Sequence, residues 1–532
     1  MGVIHQVRFV MDSNLIDALQ RPTCYPHPVD RVELVETHIS WVLLAGEFVY
    51  KIKKPVNFGF LDFSTLARRE FFCREEVRLN RRHAAKLYLD VVAIGGSADE
   101  PELSAEGPAI EFAVRMRRFD PGDGFDRLLA DGRLSAVHVR DLGVQLTRLH
   151  ARADVATVAS GFGSLAQVAE PMRDNLTELA RLLPDNEHRQ KLTRLSDWTE
   201  WTLARLTPLI EQRRRDGFVR ECHGDAHLGN VTLFEGQATL FDCIEFSDEL
   251  RWIDVINDLA FTVMDLHDHG AEHLAWLLLD EYLTRSGDFS GLALLDLYVA
   301  YRALVRAKVL ALQWADKAEP ALVAEIEKYL ALAERTRMPR PPRLVMTMGV
   351  SGSGKSWLAE RLLQSCGLIR LRSDVERKRL FELDADASTH SAVADGIYSA
   401  AASESTYARL LDLAQTLIRT GFSVIVDATF LERARRDSFR HLAERLEVPF
   451  RLIHCRADKE VLCERILTRH AEGYDPSEAG VAVLERQLEQ FQSLTGEELD
   501  QALVLDTSAD DVLEQTLAWL DAEPATGPSN CS

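Results

Sequence analysis

The chain has no excess of positive charge: 62 Lys and Arg stand against 83 Asp and Glu, a formal net charge of −21. Proteins that hold nucleic acid or anionic membrane by general attraction carry the opposite balance, so any such partner would need a local basic groove. Cysteine is sparse too. The 8 residues form no C-x-x-C pair and no Cys/His spacing of a zinc site. They read instead as buried free thiols in a reducing cytoplasm, with Cys243 and Cys455 inside apolar runs. No hydrophobic run is long and clean enough for a membrane span. The most apolar stretch, 292–312, is broken by Asp296, Arg302, Arg306 and Lys308 and suits a core helix. The N-terminus lacks the charged-then-apolar pattern of a signal peptide, and no internal repeat is visible. What is left is a cytoplasmic globular chain of 532 residues, long enough for two to four domains.

The clearest punctuation is Thr336-Arg337-Met338-Pro339-Arg340-Pro341-Pro342. Three prolines in four positions cannot continue a helix and favour an extended linker. Upstream, 31–55 read as three strands, 64–87 as a helix and 110–119 as a strand. From 131 onward the chain is mostly helical. The expectation is an α+β bilobal module over 1–335, with a small lobe to about 119 and a helical lobe from about 120. Downstream, strands at 344–348, 369–372, 423–427, 449–455 and 502–506 alternate with helices. That pattern predicts an α/β domain with a mainly parallel sheet over 343–522, followed by a disordered tail at 523–532.

Two stretches carry phosphate chemistry. The first is His223-Gly224-Asp225-Ala226-His227-Leu228-Gly229-Asn230, followed by Asp242. A kinase-type mechanism needs a loop aspartate for the acceptor proton, an asparagine five residues on, and an acid after a short hairpin. Asp225 fits the base, Asn230 and Asp242 the magnesium ligands, and His223 a brace for the loop. The combination resembles the aminoglycoside-phosphotransferase branch of the protein-kinase-like fold, whose loop reads His-Gly-Asp-x-x-x-x-Asn. Asp254-Val255-Ile256-Asn257-Asp258-Leu259-Ala260 resembles that branch's Asp-Pro-x-x-Asp-Leu-Ala, with Val255 in place of proline. The resemblance implies a lysine on the third strand for the nucleotide phosphates, and Lys51 is preferred to Lys53 on the same face. Glu76 is its expected partner, with Glu75 the alternative. No Gly-x-Gly-x-x-Gly loop precedes Lys51, which weakens a protein-kinase reading more than a small-molecule one.

The second stretch, Gly349-Val350-Ser351-Gly352-Ser353-Gly354-Lys355-Ser356, matches G-x-x-x-x-G-K-[ST] throughout and follows an apolar strand. Its backbone N–H groups, including those of Ser351 and Ser353, are expected to converge on phosphate. Lys355 would reach the β- and γ-phosphates, and Ser356 would ligate magnesium. Asp427 closes an apolar strand, as a Walker-B acid does. Asp374 ends another strand and, with Arg377, resembles the acceptor site of zeta-toxin, gluconate-kinase and polynucleotide-kinase relatives. There Asp374 would be the base and Arg377 would hold an anionic group. Arg465 and Arg469 precede a loop at 473–477 and are candidate lid arginines. Arg370, Arg372, Arg377, Lys378 and Arg379 could line a basic channel for a polynucleotide 5′-end.

The expectation is therefore two phosphotransferase modules using ATP or GTP and Mg²⁺. The first would act on a small-molecule hydroxyl, the second on a sugar, nucleotide-sugar or polynucleotide hydroxyl. The alternative is that one module senses nucleotide and regulates the other. Sequence does not set the oligomeric state.

Overall fold

The computed structural model describes residues 13–59, 61–104, 107–317, 319–387, 397, 399–472 and 480–522, without the side chains of 13 and 469–472. The expected lid loop at 473–477 and tail at 523–532 lie outside the described residues. By internal contacts the chain forms two compact units. One is Met1–His269 with Leu297–Glu334, the other Gly270–Asp296 with Arg335–Ser532. The chain crosses between them near the proline-rich segment. Gly270–Asp296, read from the sequence as part of the helical lobe, groups with the second unit.

The first unit opens with an antiparallel sheet of six strands: β1 (Val32–Glu36), β2 (Ser40–Ala45), β3 (Phe48–Lys53), β4 (Tyr88–Gly96), β5 (Pro101–Leu103) and β6 (Glu111–Arg117), in the order β1-β2-β3-β6-β4-β5. Sequence reading missed β4 and β5. Gly95, Gly96 and Pro101 argue against strands, but Pro101 opens an edge strand, where a missing N–H is tolerated. Side chains alternate across β3. Tyr50 and Ile52 join a core with Leu43, Val92, Ile94 and Ala113, while Val49 packs on the other face with Cys73, Val77 and Leu87. That period of two puts Lys51 and Lys53 on the Val49 face, towards the helix Leu66–Ala84. Thr65 starts this helix by accepting a hydrogen bond from Arg68 N.

The remainder of the unit is largely helical. The hairpin β8 (Val231–Phe234) and β9 (Gln237–Leu240) follows β7 (Val219–Glu221), which pairs with β10 (Trp252–Asp254). In the helix Val255–Asp268 every residue except His267 is buried, so its polar side chains must find partners inside the protein. Of the stretch 292–312 expected to be a core helix, all but the first three residues lie in the helix Leu295–Lys317, where Leu297, Leu304 and Ala311 are buried together with Arg302. Among the described residues no helix is long and apolar enough to cross a membrane.

The second unit is built on a five-stranded parallel sheet. Its strands are β11 (Leu344–Met348), β12 (Ile369–Arg372), β13 (Val424–Asp427), β14 (Phe450–Arg456) and β15 (Ala502–Asp506), ordered β12-β13-β11-β14-β15. All residues of β11 and β13 are buried, as expected for parallel strands covered on both faces. The helix Lys355–Cys366 adds Leu358, Leu362 and Leu363 to a core with Val345, Ile425 and Ile453. The helix Glu272–Ser286 also belongs here, with Trp276 packed against that core. Gly367 ends the helix Lys355–Cys366 at φ +66°, and a Cβ there would meet Trp276 Cζ2 at 2.7 Å, so glycine is required twice over.

Candidate active sites

The loop after β7 is held by buried charge. The carboxylate of Asp258 accepts the N–H groups of His223 and Gly224, each at 2.9 Å, and His150 Nε2 lies 3.1 Å away. Burial would raise the Asp258 carboxyl, but His150, His223 and Arg302 outweigh it and hold the group well below the usual range. Arg302 donates to the Gly224 carbonyl at 3.0 Å and to Asn257 Oδ1 at 2.8 Å. Asp265 accepts from Leu228 N at 2.9 Å. The loop is thus fastened from two helices before any ligand arrives, which is what positioning chemistry requires.

Within this frame His223 is a brace. Its Nδ1 accepts from Asp225 N at 3.3 Å, so Nε2 carries the proton and donates to Phe241 O at 2.9 Å. Burial keeps the imidazole below its ordinary pKa despite nearby carboxylates. Asn230 Nδ2 donates to both Asp225 O and Asp225 Oδ2 at 3.0 Å. The hairpin pairs Val231 with Leu240, and Phe241 N donates to Asn230 O, so Asn230 and Asp242 meet at its open end. Asp242 takes φ +63°, an uncommon conformation for a non-glycine residue outside a turn glycine's role. Burial would raise the Asp225 carboxyl, but His227, 3.5 Å away, outweighs it, and with the charge of Arg302 the group comes down to about 2. Asp225 is therefore an ionised acceptor.

The lysines meet their acids across the sheet–helix layer. Lys51 Nζ lies 2.9 Å from Glu76 Oε1 and also pairs with Asp242, while Lys53 Nζ lies 2.7 Å from Glu76 Oε2 and pairs with Glu245. Burial would lower the Lys51 ammonium, but Asp242 and Glu76 raise it well above its ordinary value. Burial would raise Glu76, but the two lysines hold it below the usual carboxylate range. Lys51 joins Glu76 to Asp242, whereas Lys53 is wholly buried against Glu245. Glu75, the alternative partner, pairs instead with Arg78 at 2.9 Å on the more exposed side of the helix. Sequence reading assigned no role to His227, Glu245, Asp258 or Arg302. The first lies inside the loop motif and Asp258 inside the later acidic motif, so both were within reach. Nothing in the chain marks Glu245 or Arg302.

In the second unit the chain turns sharply after the central strand β11. Gly349, Gly352 and Gly354 take φ of +141°, +81° and +84°. A Cβ on Gly349 would meet Cys455 O at 2.4 Å, and one on Gly352 would meet Leu462 O at 2.7 Å. Only glycine lets the backbone curl this closely and direct its N–H groups inward. Lys355 Nζ donates to Val350 O at 2.8 Å, folded back over its own loop, and Ser351 N donates to Gln487 Oε1 at 2.7 Å. Asp427 ends β13 in register with Thr347 of β11, beside the start of the loop. Its Oδ1 lies 3.5 Å from Thr347 Oγ1, while the buried Oδ2 has no hydrogen-bond partner. A desolvated carboxylate oxygen left this way fits a hydrated cation, so Ser356 and Asp427 are the groups that could hold a magnesium ion here. Asn230 and Asp242 are the corresponding candidates in the first unit.

The remaining residues are placed less uniformly. Asp374 is half-buried in the first turn of the helix Ser373–Leu380. Arg377 is buried and donates to Ile397 O at 3.3 Å and Ser403 Oγ at 3.1 Å. Arg465 touches the P-loop itself, donating to Gly352 O at 3.3 Å and Thr507 Oγ1 at 2.8 Å. The side chain of Arg469 lies outside the described residues. Of the basic cluster expected to line a channel, Arg370, Arg377, Lys378 and Arg379 are engaged within the fold. Arg370 is bound to Asp280, Lys378 donates to Ala385 O at 3.0 Å, and Arg379 pairs with Glu376. Sequence shows charge density but not direction. Here a buried carboxylate on Asp280 and another on Glu376 draw the cations into the fold.

Two family models match the chain: the phosphotransferase enzyme family (APH) over 72–295 and an AAA domain (AAA_33) over 344–494. The spectinomycin phosphotransferase APH(9)-Ia, solved with ADP and spectinomycin, is similar at 13% identity, covering 62% of this chain and 99% of its own with a TM-score of 0.39. A gluconokinase from Sinorhizobium meliloti 1021 is similar at 23% identity, covering 34% of this chain and 93% of its own with a TM-score of 0.25. Rv2004c, an uncharacterized protein of Mycobacterium tuberculosis, is 30% identical over 469 residues, 87% of this chain and 92% of that protein. The chain belongs to the same family as Rv2004c, and it joins an APH-type phosphotransferase region to a P-loop kinase region of the AAA_33 type.

Proposed function

We propose that the chain is a bifunctional, ATP- and magnesium-dependent phosphotransferase of the cytoplasm, with one alcohol acceptor at each site. The observation that carries this reading is the convergence of Lys51, Glu76 and Asp242, from three distant segments, beside an Asp225 loop anchored by Asp258 and Arg302. A magnesium–nucleotide supplies the transferable phosphoryl group and neutralises charge as it moves. Lys51, kept in place by Glu76, holds the nucleotide phosphates. Asn230 and Asp242 hold the metal. Asp225, ionised and aimed by Asn230 and His227, accepts the proton of a small-molecule hydroxyl.

At the second site the glycine-built loop and Lys355 hold the nucleotide, Ser356 and Asp427 the metal, and Asp374 is the base. A sugar or another compact acceptor suits this site better than a polynucleotide. The reason is that Arg370, Arg377 and Lys378 are buried and engaged in the fold, leaving no basic stripe among them for a phosphodiester backbone. Arg465 on the P-loop carbonyl steadies the loop from the lid side. The buried thiols of Cys222, Cys243 and Cys455 suit a reducing compartment. Coupled ADP release should be measured over a panel of sugars, amino alcohols and aminoglycosides, with Asp225→Ala and Lys355→Ala made separately. Two acceptors, each lost with one substitution only, are expected. If neither substitution lowers turnover with any acceptor, the reading fails.

A further inference from the structure

Arg370 occupies an unusual place. It lies on the edge strand β12, its side chain is only 3% exposed, and it makes a two-pronged contact with Asp280: Nε to Oδ1 at 3.1 Å and the outer nitrogen to Oδ2 at 2.5 Å. Its remaining nitrogen donates to the carbonyl of Ser356 at 3.3 Å. That nitrogen also lies 3.8 Å from Glu360 Oε2. One guanidinium therefore bonds the Ser356 backbone on one side and, across the β12–β13 pair, faces Ile425, two positions before Asp427. A buried ion pair gains little net stability, because desolvation offsets most of the attraction. Stability alone is a poor reason for burying Asp280 and Arg370 here.

Asp280 comes from the helix Glu272–Ser286, within the span matched by the phosphotransferase model, and stands 64 positions before Leu344, where the first strand of the P-loop unit begins. We infer that Asp280 is a positioning residue of the P-loop site: by occupying two nitrogens of Arg370 it keeps the third on the Ser356 carbonyl and the positive charge off Asp427. The first turn of the helix Lys355–Cys366 is then fixed with the Ser356 hydroxyl ready for the metal, and the unpartnered Oδ2 of Asp427 stays available to it. Without the Asp280 charge, the guanidinium is left with Glu360, 3.8 Å from its third nitrogen, and with Asp427, two positions beyond its β13 partner Ile425, as neighbouring carboxylates, and at Asp427 it competes with magnesium. The same helix is held independently by Trp276 over Gly367, and Arg379 donates to Thr284 O at 2.6 Å. These contacts let position and charge be separated experimentally. The inference rests on the P-loop reading of the second site.

The test uses the full-length chain carrying 5-fluorotryptophan. Trp357, one residue past Ser356, gives a ¹⁹F resonance local to the P-loop, assigned by Trp357→Phe. ADP is titrated with and without Mg²⁺. In Asp280→Asn the Mg²⁺-dependent affinity is expected to fall about tenfold, as for groups that orient a metal's ligands, with metal-free binding changed less than about twofold. Asp280→Glu restores part of the loss. Trp276→Ala, which weakens the helix's packing only, lowers the melting temperature and leaves the magnesium increment intact. Equal losses with and without Mg²⁺ in Asp280→Asn, or no loss in either, overturn the inference while the wild-type response to ADP upholds the P-loop. A wild-type Trp357 resonance that ignores ADP sinks the P-loop reading and this inference with it.

Discussion

Around the first site the chain buries charge: Lys53, Glu76, Glu245, Asp258 and Arg302 are all enclosed, each against a partner of opposite sign or a backbone group. Around the second it bends backbone, with Gly349, Gly352 and Gly354 in conformations that side chains resist. The materials differ because the tasks differ. An aspartate base must be held ionised at one spot, and that takes a network of charges around it. A phosphate cradle needs only convergent N–H groups, which a short glycine-rich turn provides by itself. The first arrangement draws on residues 51 to 302, the second on eight consecutive positions.

The sharpest way to break this comparison is to remove one reactive group at a time. Asp225→Ala should lower turnover at the first site by about 10²–10⁴-fold, the usual worth of a positioned general base. ADP titration of the P-loop should be unchanged in that variant. Asp258→Ala strips the acceptor from two buried N–H groups and leaves His150 and Arg302 less compensated. A loss of about 3 kcal/mol in urea unfolding of the first unit is expected, with no reactive atom removed. Gly349→Ala forces a Cβ to 2.4 Å from Cys455 O. Strain of roughly 2 kcal/mol should follow, read as weaker nucleotide binding at the second site only. If charge rather than backbone governed that site, this substitution would be silent.

The smallest effect concerns His454 in β14, stacked on Phe491 at 5.3 Å between ring centroids. Burial lowers its pKa from 6.5 to about 4, helped by Arg456 and Arg436. The unfolded chain therefore takes up the proton first. The stabilising contribution is full above pH 6.5 and is lost as pH falls towards 4, on the order of 1–2 kcal/mol between pH 7 and 5. Thermal melts of His454→Gln should show a shallower acid slope for the second unit. An unchanged slope would mean that His454 is not the group responsible.

The sequence was most legible where function is written locally. The P-loop and the span from His223 to Asn230 declare themselves because such motifs have fixed spacings, and Lys51 was singled out from Lys53 only by the resemblance to a family with a third-strand lysine, whose acid partner on the next helix meets it in Glu76. Legibility fell off where partners are brought together by the fold alone. Glu245 and Arg302 carry no local mark, and β4 and β5 are paired by the sheet against the preference of their own glycines and proline. The basic run from 370 to 379 was hard to read for a similar reason: Arg370 is turned by the distant Asp280, which no local pattern ties to it, although the i,i+3 pair of Glu376 with Arg379 was within reach.

The excursion of Gly270–Asp296 has a consequence for biogenesis. The helix Glu272–Ser286 buries Leu274, Leu277, Leu278 and Tyr282, yet the sheet of its unit begins only at Leu344. During synthesis the segment leaves the ribosome well before those elements, at about 5–20 residues per second. For several seconds its apolar face has no finished core to join. A chain arrested before 344 should therefore bind a holdase chaperone through 270–296, and release should wait until β11 to β15 have been made.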